Sequence, residues 1–180
     1  MKKIKRYLKQ IYRLTVSHKK GEAIVWRDLK KLHSEAGWKH GIYEKEKYIE
    51  TVFEIGNGNL GIFYHMIYDR NFHCRVKILE DFDDELTTEL FILAAHFNNL
   101  LNYGIVVINV GNHFIEYHQK KDILVPLLFN DEMHEQLVRH YEASKDIHSA
   151  FQRLVIEREA PAIIIADLVN EKNRNKDNVK

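Results

Sequence analysis

The sequence predicts an α+β protein in which antiparallel strands alternate with helices. Three observations carry that expectation. Asn57-Gly58 separates two apolar, β-branched runs, and both central positions of a type I′ hairpin turn require positive φ. Residues 72–79 alternate Phe72, Cys74, Val76 and Ile78 with His73, Arg75 and Lys77, the period-2 signature of a half-buried strand with a basic outer face. Two long stretches, 86–101 and 131–157, instead carry apolar residues at helical spacing.

Taken in order, residues 3–16 predict an amphipathic helix through Ile4, Leu8, Ile11 and Thr15, its far face basic. His18-Lys19-Lys20-Gly21 is expected to break it, and 22–35 to resume a helix through Ala23, Trp26, Leu29 and Leu32. Gly37 and Gly41 punctuate the next stretch. Strands are expected at 51–55, 60–68 and 72–79, the last two joined by a turn at Asp69-Arg70-Asn71. Asp83-Asp84 opens a helix with the stripe Leu86, Leu90, Leu93, Phe97, Leu100 and Leu101; acids in a first turn meet the positive end of the helix dipole. Asn102 and Gly104 stop it. A second strand block follows at 105–110, 113–119 and 122–128, with Pro126 confining the third to an edge. The helix at 131–157 turns Met133, Leu137, Tyr141, Ile147, Phe151 and Leu154 inward. Residues 162–168 read as an edge strand or a last helical turn. The resulting order is α-βββ-α-βββ-α, with helices packed on the sheet. The chain divides into a basic helical region at 1–47, an α+β domain at 48–168 and a disordered tail at 169–180.

Charge is unevenly spread. Residues 1–31 hold eleven Lys/Arg against Glu22 and Asp28, a local +9, so the net +1 leaves −8 for the rest of the chain. Lys2, Lys3, Lys5, Arg6, Lys9, Arg13, Lys19 and Lys20 are therefore the candidate partner-binding residues. An arm of this kind suits nucleic-acid phosphates, an anionic membrane surface or an acidic protein, or it docks on the acidic body.

Catalytic patterns fail on their spacing. Gly56, Gly58 and Gly61 match a nucleotide-binding glycine motif, but a strand follows where a helix must begin. His134-Glu135 starts like a zinc-protease motif, and Val138 stands where the second histidine belongs. His113 and His118 fall on opposite faces of a strand, and His140 and His148 are two helical turns apart. Cys74, the single cysteine, is in phase with buried residues and is expected to act as a small hydrophobe; no intrachain disulfide can form. The acidic run Glu80–Glu85 lacks the ligand spacing of a calcium loop. No catalytic residue, cofactor, metal or small-molecule substrate is expected. The apolar runs are too short to cross a bilayer, and the cytoplasm is the expected compartment.

The element order, and the stretch Leu93-Ala-Ala-His-Phe-Asn-Asn-Leu-Leu-Asn-Tyr-Gly104 running into Ile105-Val-Val-Ile-Asn, resembles the YbjN family and the type III secretion chaperone-like fold. The resemblance spans about residues 48–157. It implies a curved sheet with flanking helices, frequent homodimers and non-catalytic roles such as binding extended peptides. Secretion chaperones are acidic throughout, and the basic arm departs from that pattern. The expected function is a non-enzymatic protein-binding domain, chaperone-like or regulatory, with a protein partner or homodimer. The alternative is nucleic-acid binding through the arm.

Overall fold

The computed structural model describes residues 11–13, 15–124 and 130–177. Among the described residues the elements run in the order α1 (His18–Glu35), β1 (His40–Tyr43), β2 (Tyr48–Gly56), β3 (Asn59–Tyr68), β4 (Asn71–Glu80), α2 (Thr87–Leu100), β5 (Ile105–Asn109), β6 (Phe114–Asp122), α3 (Asn130–Val155) and α4 (Pro161–Asp177). The strands form one antiparallel sheet in the order β1-β2-β3-β4-β6-β5. This is the α+β architecture the sequence predicts.

The turns are those the residues dictate. Asn57 and Gly58 take φ of 52° and 75°, closing the β2–β3 hairpin. Asp69 and Arg70 take 44° and 61° between β3 and β4. β6 is entered through a short 3₁₀ turn at Val110–Asn112, with the Asn109 side chain accepting from the Asn112 amide.

Three expectations shift. The break foreseen at His18–Gly21 lies instead at Val16-Ser17. Gly21 donates its amide to the Ser17 carbonyl at 2.9 Å, so it belongs to the first turn of α1. Among the described residues the second strand block shows two strands, β5 and β6. The Leu124 amide is capped by the Asp122 carboxylate at 2.8 Å, which turns the chain out of the sheet; residues 125–128 of the expected strand lie outside the described residues. The sixth strand is β1, ahead of the meander, where Gly41 and a length of four residues conceal the strand pattern. The segment 162–168 is helical: Pro161 occupies the first helical position, where its missing N–H costs nothing, and α4 continues to Asp177.

All strand side chains of the buried core point to one face of the sheet. Ile55, Phe63, Val76, Ile78, Val106, Ile115 and Tyr117 pack under α2, α3 and α4. Ile49, Ile67, Phe72 and Cys74 pack under α1 and the first turns of α3, through Trp26, Leu29, Met133 and Leu137. Burying each such side chain is worth about 1.5–3 kcal/mol. α1 is tied down at its edge, where Trp26 Nε1 and Lys30 Nζ both donate to Glu44. Arg153 joins α3 to α4 through Glu159 and Asp167.

Candidate functional site

Between α3 and the middle of the sheet lies a column of buried polar side chains. Gln136, His140, Ser144 and His148 recur every four residues along α3, so they share its inward face. The sheet answers with His65 on β3 and Cys74 on β4, which are direct cross-strand partners. His33 of α1 reaches the same place. His33, His65, Cys74 and His140 are at most 1% exposed.

Their hydrogen bonds fix the tautomers. His33 Nδ1 faces the Leu29 carbonyl at 2.9 Å, and a carbonyl only accepts, so Nδ1 carries the proton. Neutral His33 then accepts at Nε2, and His65 Nδ1–H donates to it at 2.9 Å. That leaves His65 Nε2 as a bare lone pair. His140 Nε2–H donates to the Tyr117 carbonyl at 3.4 Å, which leaves its Nδ1 bare, and that buried atom has no hydrogen-bond partner. The Gln136 Nε2 amide donates to Cys74 Sγ at 3.8 Å, while its Oε1 is also buried without a partner.

Burial keeps these groups neutral. It holds His65 well below the ordinary imidazole range, helped by the neighbouring His33 and His140 rings. It lowers His140 to about 3 and lowers His33 as well, and it pushes the Cys74 thiol up. Cys74 is buried, as its phase with Phe72, Val76 and Ile78 predicts. Among the described residues, His65, Cys74 and His140 each offer one donor atom, and the three lie within 4.8 Å of one another. A cavity of about 260 Å³, lined by Trp38, Phe53, Phe63, Leu137 and Tyr141, leads to His65.

The opposite face of the sheet carries a second kind of surface. Tyr48, Glu50, Val52 and Glu54 of β2 stand beside Leu60, Ile62, Tyr64, Met66 and Tyr68 of β3. His73, Arg75 and Lys77 of β4 and Glu116, His118 and Lys120 of β6 complete it. Leu60 and Tyr68 are 68% and 69% exposed, and Val52, Ile62 and Tyr43 about 40%. Tyr43 stacks on Tyr48 at 4.3 Å, and Tyr48 meets Tyr64 edge-on. β3 and β4 pair only from Phe63–Val76 to Tyr68–Asn71 and then part, leaving a cleft of about 340 Å³ beside Leu60 and Ile62. Glu116 shares its two oxygens between Arg75 and His118, so the one histidine–carboxylate pair on β6 is a bridge on this open face.

Of the basic arm, Lys2, Lys3, Lys5, Arg6 and Lys9 lie outside the described residues. Arg13 is 3% exposed and bonds Asp28 at 2.5 Å, so its guanidinium is committed to holding α1. Lys19 and Lys20 are exposed on the first turn of α1, with Lys20 Nζ 5.3 Å from the Tyr12 ring centre. The glycine motif is the β2–β3 hairpin, as its sequence context implies. His113 sits at the entry to β6 with φ 49° and donates to the Phe82 carbonyl. In the acidic run, Glu80 pairs with Lys77 and Asp83 with Arg158. No described helix is long and apolar enough to cross a membrane. No family model matches the chain, and no curated protein matches it.

Proposed function

We propose that the chain is a non-enzymatic protein-binding module whose working surface is the open face of the sheet, and that the protein it takes first is a second copy of itself. The observation that carries this reading is the chemistry of that face. An apolar and aromatic strand, β3, runs down its middle with large side chains exposed. Monomeric proteins rarely leave contiguous apolar surface of this kind uncovered.

The flanks favour a second copy. β2, on one side of β3, presents Glu50 and Glu54; β4 and β6, on the other, present Arg75, Lys77 and Lys120 against Glu116. A two-fold axis running along β3 would lay the acidic strand of one copy over the basic strands of the other. An axis across the strands would set acid on acid. The pattern is self-complementary in one arrangement only, as an isologous interface requires. The long strands span nine or ten residues. At ~4.8 Å between strands and ~3.3 Å per residue the face projects on the order of 700 Å². Stable dimers bury about 800 Å² per partner. The reading agrees with what the resemblance to the YbjN and secretion chaperone-like fold implies.

Light scattering on the eluting size-exclusion peak of the full chain tests it. A dimer that Ile62→Glu with Leu60→Glu converts to a folded monomer is the expected result. A wild-type chain that stays monomeric at high micromolar concentration removes the proposal.

A further inference from the structure

We infer that His65, Cys74 and His140 form a binding site for one thiophilic metal ion, with the Gln136 carbonyl oxygen as a fourth donor. The inference is independent of the sheet-face reading, since it concerns the other side of the sheet.

The argument begins with what the fold leaves unsatisfied. Buried polar atoms in folded proteins are almost always paired. Here His140 Nδ1 and Gln136 Oε1 are both buried and unpaired, and both belong to residues beside Cys74 Sγ. The tautomers imposed by the Leu29 and Tyr117 carbonyls leave the free nitrogens of His65 and His140 as lone pairs, the form a metal requires.

The outer support is also in place. Ligating histidines characteristically donate their other N–H to a fixed acceptor, which sets ring orientation. His140 does so to Tyr117, and His65 does so to His33, itself anchored on Leu29. His33 is thus a positioning residue. Around an ion with bonds of ~2.0–2.3 Å, donors sit roughly 3.3–4 Å apart. A set already within 4.8 Å needs only small side-chain adjustments. The cavity under Trp38 and Tyr141 supplies a way in to His65.

The donor types select the ion. One thiolate and two imidazoles suit Cu⁺ or Zn²⁺, not the oxygen-seeking Mg²⁺ or Ca²⁺. Charge favours Cu⁺. The donor cluster contains no carboxylate. A thiolate and Cu⁺ cancel, whereas Zn²⁺ leaves a net positive charge among apolar side chains, where unpaired charge is costly. The balance is simple. The Cys74 S–H bond breaks, its proton passes to solvent, the sulfur lone pair binds the ion, and both imidazoles bind without losing a proton. One proton leaves per ion bound.

The test uses the full-length, reduced chain stripped of metal. It is titrated anaerobically with Cu⁺ against a competing chelator, and separately with Zn²⁺ and with Co²⁺ as a spectroscopic substitute. Expected are one ion per chain, one proton released, and a thiolate-to-cobalt charge-transfer band. Tight Cu⁺ with weaker Zn²⁺ identifies the monovalent ion, and the reverse order identifies zinc; both support the site. Cys74→Ala and His140→Ala should weaken binding by ~100-fold or more, and His33→Ala by ~10–100-fold. His73→Ala, whose ring lies on the other face of the sheet, should leave it unchanged. Circular dichroism identifies any variant that fails to fold, and the cobalt band of the wild-type chain reports thiolate ligation without any variant. Absence of that band together with no stoichiometric Cu⁺ or Zn²⁺ binding overturns the inference. So does unchanged binding in folded Cys74→Ala.

Discussion

His140 shows how much a single position can reveal and withhold. The sequence places it with Ser144 and His148 on one side of a helix otherwise stacked with Leu137, Ile147 and Phe151. That polar column on an apolar helix is a visible signal of buried polar contacts. What it meets is not visible, because His65 lies 75 residues away and only the register of β3 on β4 sets it opposite Cys74. His33 comes from a different helix again, and no spacing rule joins the three. Their burial has a consequence for pH. His33, His65 and His140 are all held below the ordinary imidazole value in the fold, while the unfolded chain titrates near 6.5. Above that value both states are neutral and stability is flat. As pH falls through 6.5 the unfolded chain takes up protons that the folded chain refuses, so stability is lost, for His140 down to about 3. Each such histidine contributes a slope of up to ~1.4 kcal/mol per pH unit. Urea unfolding at pH 8, 6.5 and 5 should show little change over the first step and a marked loss over the second. His140→Leu should flatten the second step. Equal stability at all three values would mean that the buried rings protonate in place.

At the scale of elements, the strands bounded by Asn57-Gly58 and Asp69-Arg70 were readable because turn chemistry and period-2 alternation agree there. β1 was not: four residues with one glycine carry too few alternations to distinguish them from loop, and only pairing with β2 defines them. Of the expected strand at 122–128, only the start is described: β6 ends at Asp122, whose carboxylate caps the Leu124 amide, and residues 125–128 lie outside the described residues. The junction between α2 and β5 is held by one side chain. Asn98 accepts from the Val106 amide at 2.6 Å and donates to the Val106 carbonyl at 3.2 Å, imitating a strand neighbour at the edge of the sheet. Asn98→Ala leaves both backbone groups without that partner and should cost about 1–3 kcal/mol in chemical denaturation. Gly104 makes the turn itself. Its φ is +108°, and a Cβ there would stand 2.5 Å from the His118 carbonyl oxygen, which is backbone and cannot swing aside. Gly104→Ala should therefore destabilise by at least ~2 kcal/mol, and by more than Gly58→Ala, whose Cβ position is open. If the two alanine variants unfold at the same denaturant concentration, the β5–β6 edge is looser than its contacts indicate.

For the whole molecule, the decisive feature is that helices cover one face of the sheet and charge divides the other. The sequence announced the basic side in His73, Arg75 and Lys77, but not that Glu50 and Glu54 would lie across β3 from it. That depends on the strand order β2-β3-β4 and the phase of each strand. If the two-fold along β3 is correct, charge reversal should act as a lock and key between copies. Glu50→Lys with Glu54→Lys places basic residues over the partner's basic strands. Lys77→Glu with Lys120→Glu places acids over the partner's acids. Each double variant should be monomeric at concentrations where the wild-type chain is dimeric, because like charges brought face to face oppose association. Mixed in equal amounts, the two should form a heterodimer, since every flank then meets its opposite. Raising the salt should weaken the heterodimer and relieve the repulsion within each single variant, because rim charges are screened over about 8–10 Å at moderate ionic strength. A chain carrying all four substitutions separates the two arrangements: with the axis along β3 it pairs with itself and is repelled by the wild-type chain, whereas an axis across the strands would lay its basic β2 over the acidic β2 of the wild-type chain and favour that mixed pair. Native mass spectrometry of the separate and mixed variants distinguishes the two arrangements directly.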